Sequence, residues 1–198
     1  MHPARESAMP HLFQASAIGP LGLRNRLVKS ATRENLADPA GRPTAASLNF
    51  YRRLAQGGAG LIVTGDAYVN RDGQSAPQQN GAHNREAIAA WRPMLEAVHE
   101  AGAALALQLT HGGRQTKPSV LGGRPAMAPS ALPNLMYFHR PRAMTGADIR
   151  RTITDFGRAA AQAREAGFDA VQIHAAHGYL IAGFLSPLTT RRRGGWGG

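Results

Sequence analysis

A chain of 198 residues can form one domain with a sizeable core, and its 43% hydrophobic content, with 23 glycines and 13 prolines, fits a globular fold rich in tight turns. No cysteine is present, which excludes disulfides, thiolate catalysis and cysteine-bound metal and is compatible with a reducing cytoplasm. The formal charge of +11 does not point to nucleic acid, because the arginines are scattered and the one cluster, Arg191-Arg192-Arg193, lacks interleaved aromatics. Met1 to Ser7 leads into no apolar segment, and no run approaches the roughly 18 apolar residues of a membrane helix. A soluble cytoplasmic chain, with no membrane partner, is the expectation.

In chain order, Ile18 to Leu23 reads as a tight turn between short extended segments, followed by a first strand over Arg26 to Ser30. A helix is predicted from Thr44 to Gln56, with Leu48, Tyr51 and Leu54 or Ala55 on one face and Gly57-Gly58 ending it. Leu61 to Thr64 is a continuous apolar run, the pattern of a strand covered on both faces. One helix is expected over Asn84 to Ala101, where Ile88, Trp91, Leu95 and Val98 recur at helical spacing before Gly102. Ala104 to Leu109 would be helical on propensity, but its shortness and its place in the alternation make it the third strand. A loop from Thr110 to Met144 leads to Thr145-Gly146-Ala147-Asp148, a capping-box-like start with Asp in the usual Glu position. The helix it opens, Asp148 to Ala166, carries Ile149, Ile153, Phe156 and Ala160 on one stripe, and Ala170 to Ile173 follows as a buried fourth strand. Repeated βα units predict parallel strands, so the fold class is α/β, of the (β/α)8 barrel type truncated to about four units. A complete barrel usually needs about 250 residues, so the single domain over residues 1–198 is expected to be incomplete.

The fourth strand runs into His174-Ala175-Ala176-His177-Gly178-Tyr179, and barrel enzymes carry their catalytic side chains at such C-terminal strand ends. His174 and His177 stand i,i+3, so a helical turn there would let two donors converge on one oxygen. A metal pair is disfavoured, since the segment has no third ligand and the chain no cysteine. Tyr179 could serve as a proton donor or simply pack against Phe184. Gln108 ends an apolar strand, and its buried amide requires either backbone or a polar ligand as partner.

Three stretches together, Asn25 to Thr32, Gln108 to Arg114, and His174 to Tyr179 with Phe184-Leu185-Ser186-Pro187, resemble the old yellow enzyme family of flavin-dependent ene-reductases, in family order and spacing. The resemblance runs from about residue 10 to 198 and covers the N-terminal half of such an enzyme. It implies an FMN-binding barrel, reduced by NADPH or NADH, that reduces alkenes conjugated to a carbonyl. It further implies that His174 and His177 anchor the substrate, that Tyr179 gives the proton, and that Ser30, Ala31, Thr32, Gly65 and Gln108 meet the flavin. His111 and Arg114 would lie at the barrel mouth. The chain departs from the family at Gly183, where a glutamine is usual, and over Thr189 to Gly198, where an asparagine and an aspartate are missing. Barrel phosphate sites are built after strands seven and eight, so an isolated half is expected to bind FMN weakly or not at all. The alternative expectation is a non-catalytic remnant or a self-associating half-barrel, covered by a second copy or by a missing C-terminal half.

Overall fold

A computed structural model describes residues 11–197, so the stretch Met1–Ser7 read for a leader lies outside the described residues. Ser16–Ile18 (β1) and Leu21–Leu23 (β2) pair as an antiparallel hairpin around Gly19, which turns with φ of +56°. Val28–Lys29 (β3) is shorter than the strand expected over Arg26 to Ser30. The entry to it is held by a side chain instead: Asn25 Nδ2 donates to Gly58 O (2.8 Å) and Asn25 Oδ1 accepts from Leu27 N (3.0 Å).

Ala45–Gln56 (α1) starts at Thr44, whose N–H donates to Ser47 Oγ at 3.1 Å. Leu61–Val63 (β4) follows, and Ala67–Tyr68 (β5) resumes on the same side of the next strand after a break at Thr64 to Asp66. The single helix expected over Asn84 to Ala101 is in fact two, Arg85–Ala89 (α2) and Arg92–Glu100 (α3). Pro93 explains the break: it offers no N–H to the carbonyl of Ala89 and its ring collides with that turn, so α2 stops there and the proline sits in the first turn of α3.

Ala104–Thr110 (β6) is a strand buried over all seven residues, as its place in the alternation required. The following loop contains short segments Met127–Ala128 (β7) and Arg142–Ala143 (β8), which pair in parallel. Gly146–Ala166 (α4) opens with the expected box: Asp148 N donates to Thr145 Oγ1 (3.1 Å) and Thr145 N donates to Asp148 Oδ2 (2.8 Å). Its buried stripe is Ile149, Thr152, Asp155, Ala159 and Ala163, whereas Ile153, expected inside, is 54% exposed. Asp155 is tolerated there because it accepts from Asn70 Nδ2 (2.7 Å) and pairs with Arg158. Ala170–Ile173 (β9) forms as expected but is not buried: it pairs with β6 on one side and lies at the sheet edge. Leu180–Leu185 (α5) follows the histidine segment.

The parallel sheet therefore runs β3, then β4 with β5, then β6, then β9. Leu105, Leu107 and Leu109 of β6 face a core made with α1, α3 and α4, in which Trp91 touches Tyr51 and Phe168 edge-on. The alternate residues Ala104 and Ala106 face the inner side with Leu61, Val63 and Leu23, so the hairpin closes the bottom of the half-barrel. Arg24 fastens that end by donating to the carbonyls of Ala55, Ala59 and Ala101, where α1 and α3 finish. Among the described residues no helix is long and apolar enough to cross a membrane.

Two stability predictions follow from this core. Trp91 is fully buried, so Trp91→Ala should cost about 3–5 kcal/mol, read as a lower urea midpoint at unchanged slope. His111 is also fully buried: its Nδ1 accepts from Gly113 N (3.1 Å), its Nε2 has no partner among the described residues, and burial holds its pKa down at about 4. The folded state thus binds fewer protons than the unfolded one between pH 6.5 and 4, and stability should fall through that window on acidification. The share of His111 is on the order of 3 kcal/mol, and His111→Gln should flatten the pH dependence of the urea midpoint there.

Candidate functional site

The C-terminal ends of β3, β4, β6 and β9 meet at a pocket of about 550 Å³. Ala31, Thr32 and Arg33 reach it after β3, Asp66 after β4, Gln108 and Gln172 from paired strands, and His174, His177 and Tyr179 after β9. This is the end at which parallel barrel strands present chemistry. The parallel register sets Gln108 beside Gln172, and Gln108 Nε2 donates to Gln172 Oε1 at 2.6 Å. Thr64 Oγ1 accepts from Gln108 N (3.1 Å), so the break between β4 and β5 is filled by a hydroxyl. Among the described residues Gln108 Oε1 and Gln172 Nε2 have no protein partner, which leaves an acceptor and a donor at the pocket wall.

His174 continues the ladder by donating its N–H to Leu109 O (2.9 Å), and its Nδ1 accepts from Ala176 N (3.3 Å). The hydrogen of the neutral ring therefore lies on Nε2. Burial lowers the pKa of His174, Asp66 opposes that, and His177 and Arg33 reinforce it, so the ring is held neutral. His177 sits at φ +57° and Gly178 at φ +71°. Two left-handed residues, rather than the expected helical turn, fold the chain back so that the His174 and His177 rings meet edge-on at 5.2 Å. A side chain at Gly178 would run into Gln115, whose Nε2 donates to His177 O (3.4 Å).

The Tyr179 ring lies 4.8 Å from that of His174 and not against Phe184, which packs with Met127, Met144, Ile149 and Leu180. The Tyr179 oxygen accepts from Arg33 Nη2 at 3.2 Å. Arg33 in turn grips Asp66 through Nε (2.7 Å) and Nη2 (2.6 Å). Of the residues expected at the flavin, Ala31, Thr32 and Gln108 line the pocket; Ser30 and Gly65 do not. The space a side chain at Gly65 would need is taken by the Glu34 carboxylate and the Thr32 carbonyl, so this glycine admits protein rather than open pocket. Glu34 also accepts from the Tyr51 hydroxyl. Arg114 is tied to Pro133 O (2.6 Å) and fixes the loop. Arg33 and Gln172 were not singled out from sequence. The signal for Gln172 was available, since it is the polar residue of an apolar strand, as Gln108 is.

The chain matches the model of the NADH:flavin oxidoreductase / NADH oxidase family over residues 11–198. It is 37% identical over 190 residues to an NADH oxidase of Thermoanaerobacter brockii, covering 96% of this chain and 29% of that one. It is 37% identical over 191 residues to an NADPH dehydrogenase of Listeria monocytogenes, covering 96% of this chain and 55% of that one. The structure resembles that of an old yellow enzyme from Pichia sp. AKU4542, with a TM-score of 0.90 at 30% identity over 96% of this chain and 52% of that one. The chain thus spans about half the length of the NADPH dehydrogenase, and its α/β fold corresponds to about half of an old yellow enzyme barrel. On sequence and fold together it belongs to the NADH:flavin oxidoreductase / NADH oxidase family of oxidoreductases, which use FMN and NAD(P)H.

Proposed function

We propose that this chain forms the flavin- and substrate-facing half of an enzyme that reduces alkenes conjugated to a carbonyl, with FMN as cofactor and NADPH or NADH as reductant. One observation carries the reading: His174, His177 and Tyr179 converge on the same pocket as Gln108 and Gln172. The residues fit a flavin ring edge, because the free amide acceptor of Gln108 and donor of Gln172 complement a pyrimidine edge, while Ala31 and Thr32 offer a small-residue wall. When bound, FMN supplies hydride to one alkene carbon. Negative charge then grows on the carbonyl oxygen, and the His174 Nε2–H and the His177 ring are the donors that meet it. Tyr179 holds the proton for the other carbon, a role open to a phenolic hydroxyl that lines the pocket. A cysteine-free chain suits the reducing cytoplasm, where we locate it.

A self-associating, non-catalytic half-barrel is the second reading. It is favoured by the open β9 edge, where Val171 and Ile173 are 40% and 48% exposed. Titration of the purified chain with FMN, read by flavin fluorescence and by oligomeric state, separates the two. Binding that saturates, even weakly, is the result expected of a flavin-facing half without the phosphate loops; a folded, associating chain that never saturates favours the second reading. In loaded protein, Tyr179→Phe should slow alkene reduction by about 10²- to 10⁴-fold and leave flavin reduction by NAD(P)H near its starting rate. Equal slowing of both half-reactions in stopped flow would remove Tyr179 from the role. His174→Ala should cost roughly 10²-fold or more in alkene reduction.

A further inference from the structure

Resting on the reading of Tyr179 as proton donor, we propose that Arg33 is a positioning residue that aims the Tyr179 hydroxyl into the pocket, anchored by Asp66 and Gln79 and attenuated by Ser75. The argument is one of counting hydrogens. A guanidinium only donates, so at 3.2 Å the phenolic oxygen must be the acceptor and its own hydrogen must point elsewhere. Among the described residues the phenol finds no acceptor for that hydrogen. The open direction is the pocket, which Tyr179 lines.

Arg33 is fixed well enough to act this way. Asp66, nearly fully buried, takes both its Nε and its Nη2, and is itself held by Gln79 Nε2, which donates to Asp66 Oδ2 (2.9 Å) and to Asp66 O (3.2 Å). Gln79 is buried and spends its Oε1 on the N–H (2.7 Å) and the hydroxyl (3.2 Å) of Ser75. Ser75 Oγ therefore faces Arg33 as an acceptor, at 2.7 Å from Nη2. Nη2 carries two hydrogens and meets three acceptors: Asp66, Ser75 and Tyr179. Asp66 occupies one hydrogen, so Ser75 and Tyr179 share the other, and the shorter contact belongs to Ser75. Removing Ser75 should then strengthen the bond to Tyr179, while removing Arg33 abolishes it.

In the transfer itself the Tyr179 O–H bond breaks and its proton forms a C–H bond with the carbanion left after hydride addition. The electron pair stays on the phenolic oxygen beside the guanidinium, and solvent restores the proton. Arg33 thus offsets charge that exists only after the proton has left, which is where a fixed cation helps most.

The test begins with tyrosine labelled with ¹³C at Cζ, whose chemical shift reports bonding at the phenolic oxygen; the Tyr179 signal is identified by its loss in Tyr179→Phe. Arg33→Gln and Ser75→Ala should move that signal in opposite directions, and Arg33→Lys should move it less than Arg33→Gln. General loosening of the fold would not produce opposite signs, and Ser75→Ala removes only a hydroxyl should Arg33→Gln fold poorly. Shifts of the same sign, or none, overturn the proposal. In loaded protein, Arg33→Gln should slow alkene reduction roughly 10- to 100-fold and add nothing in the Tyr179→Phe background. An equal further loss in that background assigns Arg33 a purely structural role and also overturns it. If Tyr179→Phe alone leaves alkene reduction intact, the proton-donor reading is what fails, and the opposite-sign shifts still report on the bond itself.

Discussion

Strand β6 is paired in parallel on both sides and buried from Ala104 to Thr110, and every side chain of the pocket takes its position from it directly or at one remove. Its register with β9 sets Gln108 beside Gln172 and Leu109 beside Ile173, so the chain beyond Ile173 can only emerge at the pocket. Its register with β4 brings Thr64 opposite the Gln108 N–H, and Asp66 emerges where that strand is interrupted. Beyond Thr110 the chain stays close to the histidine segment: Leu180 N donates to His111 O at 3.0 Å, and Gly113, at φ +58°, passes so near the Leu180 backbone that any side chain would collide. That approach holds Tyr179, the residue before Leu180, at a fixed distance from the end of β6.

The pocket is built largely from groups that need one another. Arg33 is half-buried and would be costly there without Asp66, and Asp66 would be costly without Arg33 and Gln79. The result is a near-neutral wall in which the guanidinium is matched by a carboxylate, rather than the strongly positive surface that a net charge of +11 would suggest. Charge on this chain is a property of its outer arginines. The site is governed by hydrogen-bond directions and by a His174 ring kept neutral through burial.

The sequence was most readable where a local signal and the global alternation agreed. Thr145 with Asp148 marked the start of α4, Gly57 and Gly58 marked the end of α1, and the apolar runs became β4 and β6. It misled where one residue outweighed a periodic pattern, as Pro93 did in dividing α2 from α3. It also misled where periodicity was right but, among the described residues, nothing covers the face: Ile153, Val171 and Ile173 look like core and stand exposed at the β9 edge. In the site, the histidines and Tyr179 were legible as a cluster, yet their convergence depends on left-handed backbone at His177 and Gly178 that only folding reveals. Arg33 was least legible, because its bond to Tyr179 joins residues 146 positions apart and no local pattern encodes it.

Strand β9 couples the two faces of this half-barrel. Gln172 turns inward to Gln108, whereas Ile173 also lines an apolar groove with Ile153, Phe156, Leu185 and Trp196. Parallel strands are ordinarily covered on both faces, and an open parallel edge flanked by such a groove is an incomplete solution to burial. Whatever covers the groove packs on Ile173, the residue that precedes His174. Closing the apolar surface and fixing the His174 imidazole at the pocket are consequently one structural problem, since both depend on the four residues of β9.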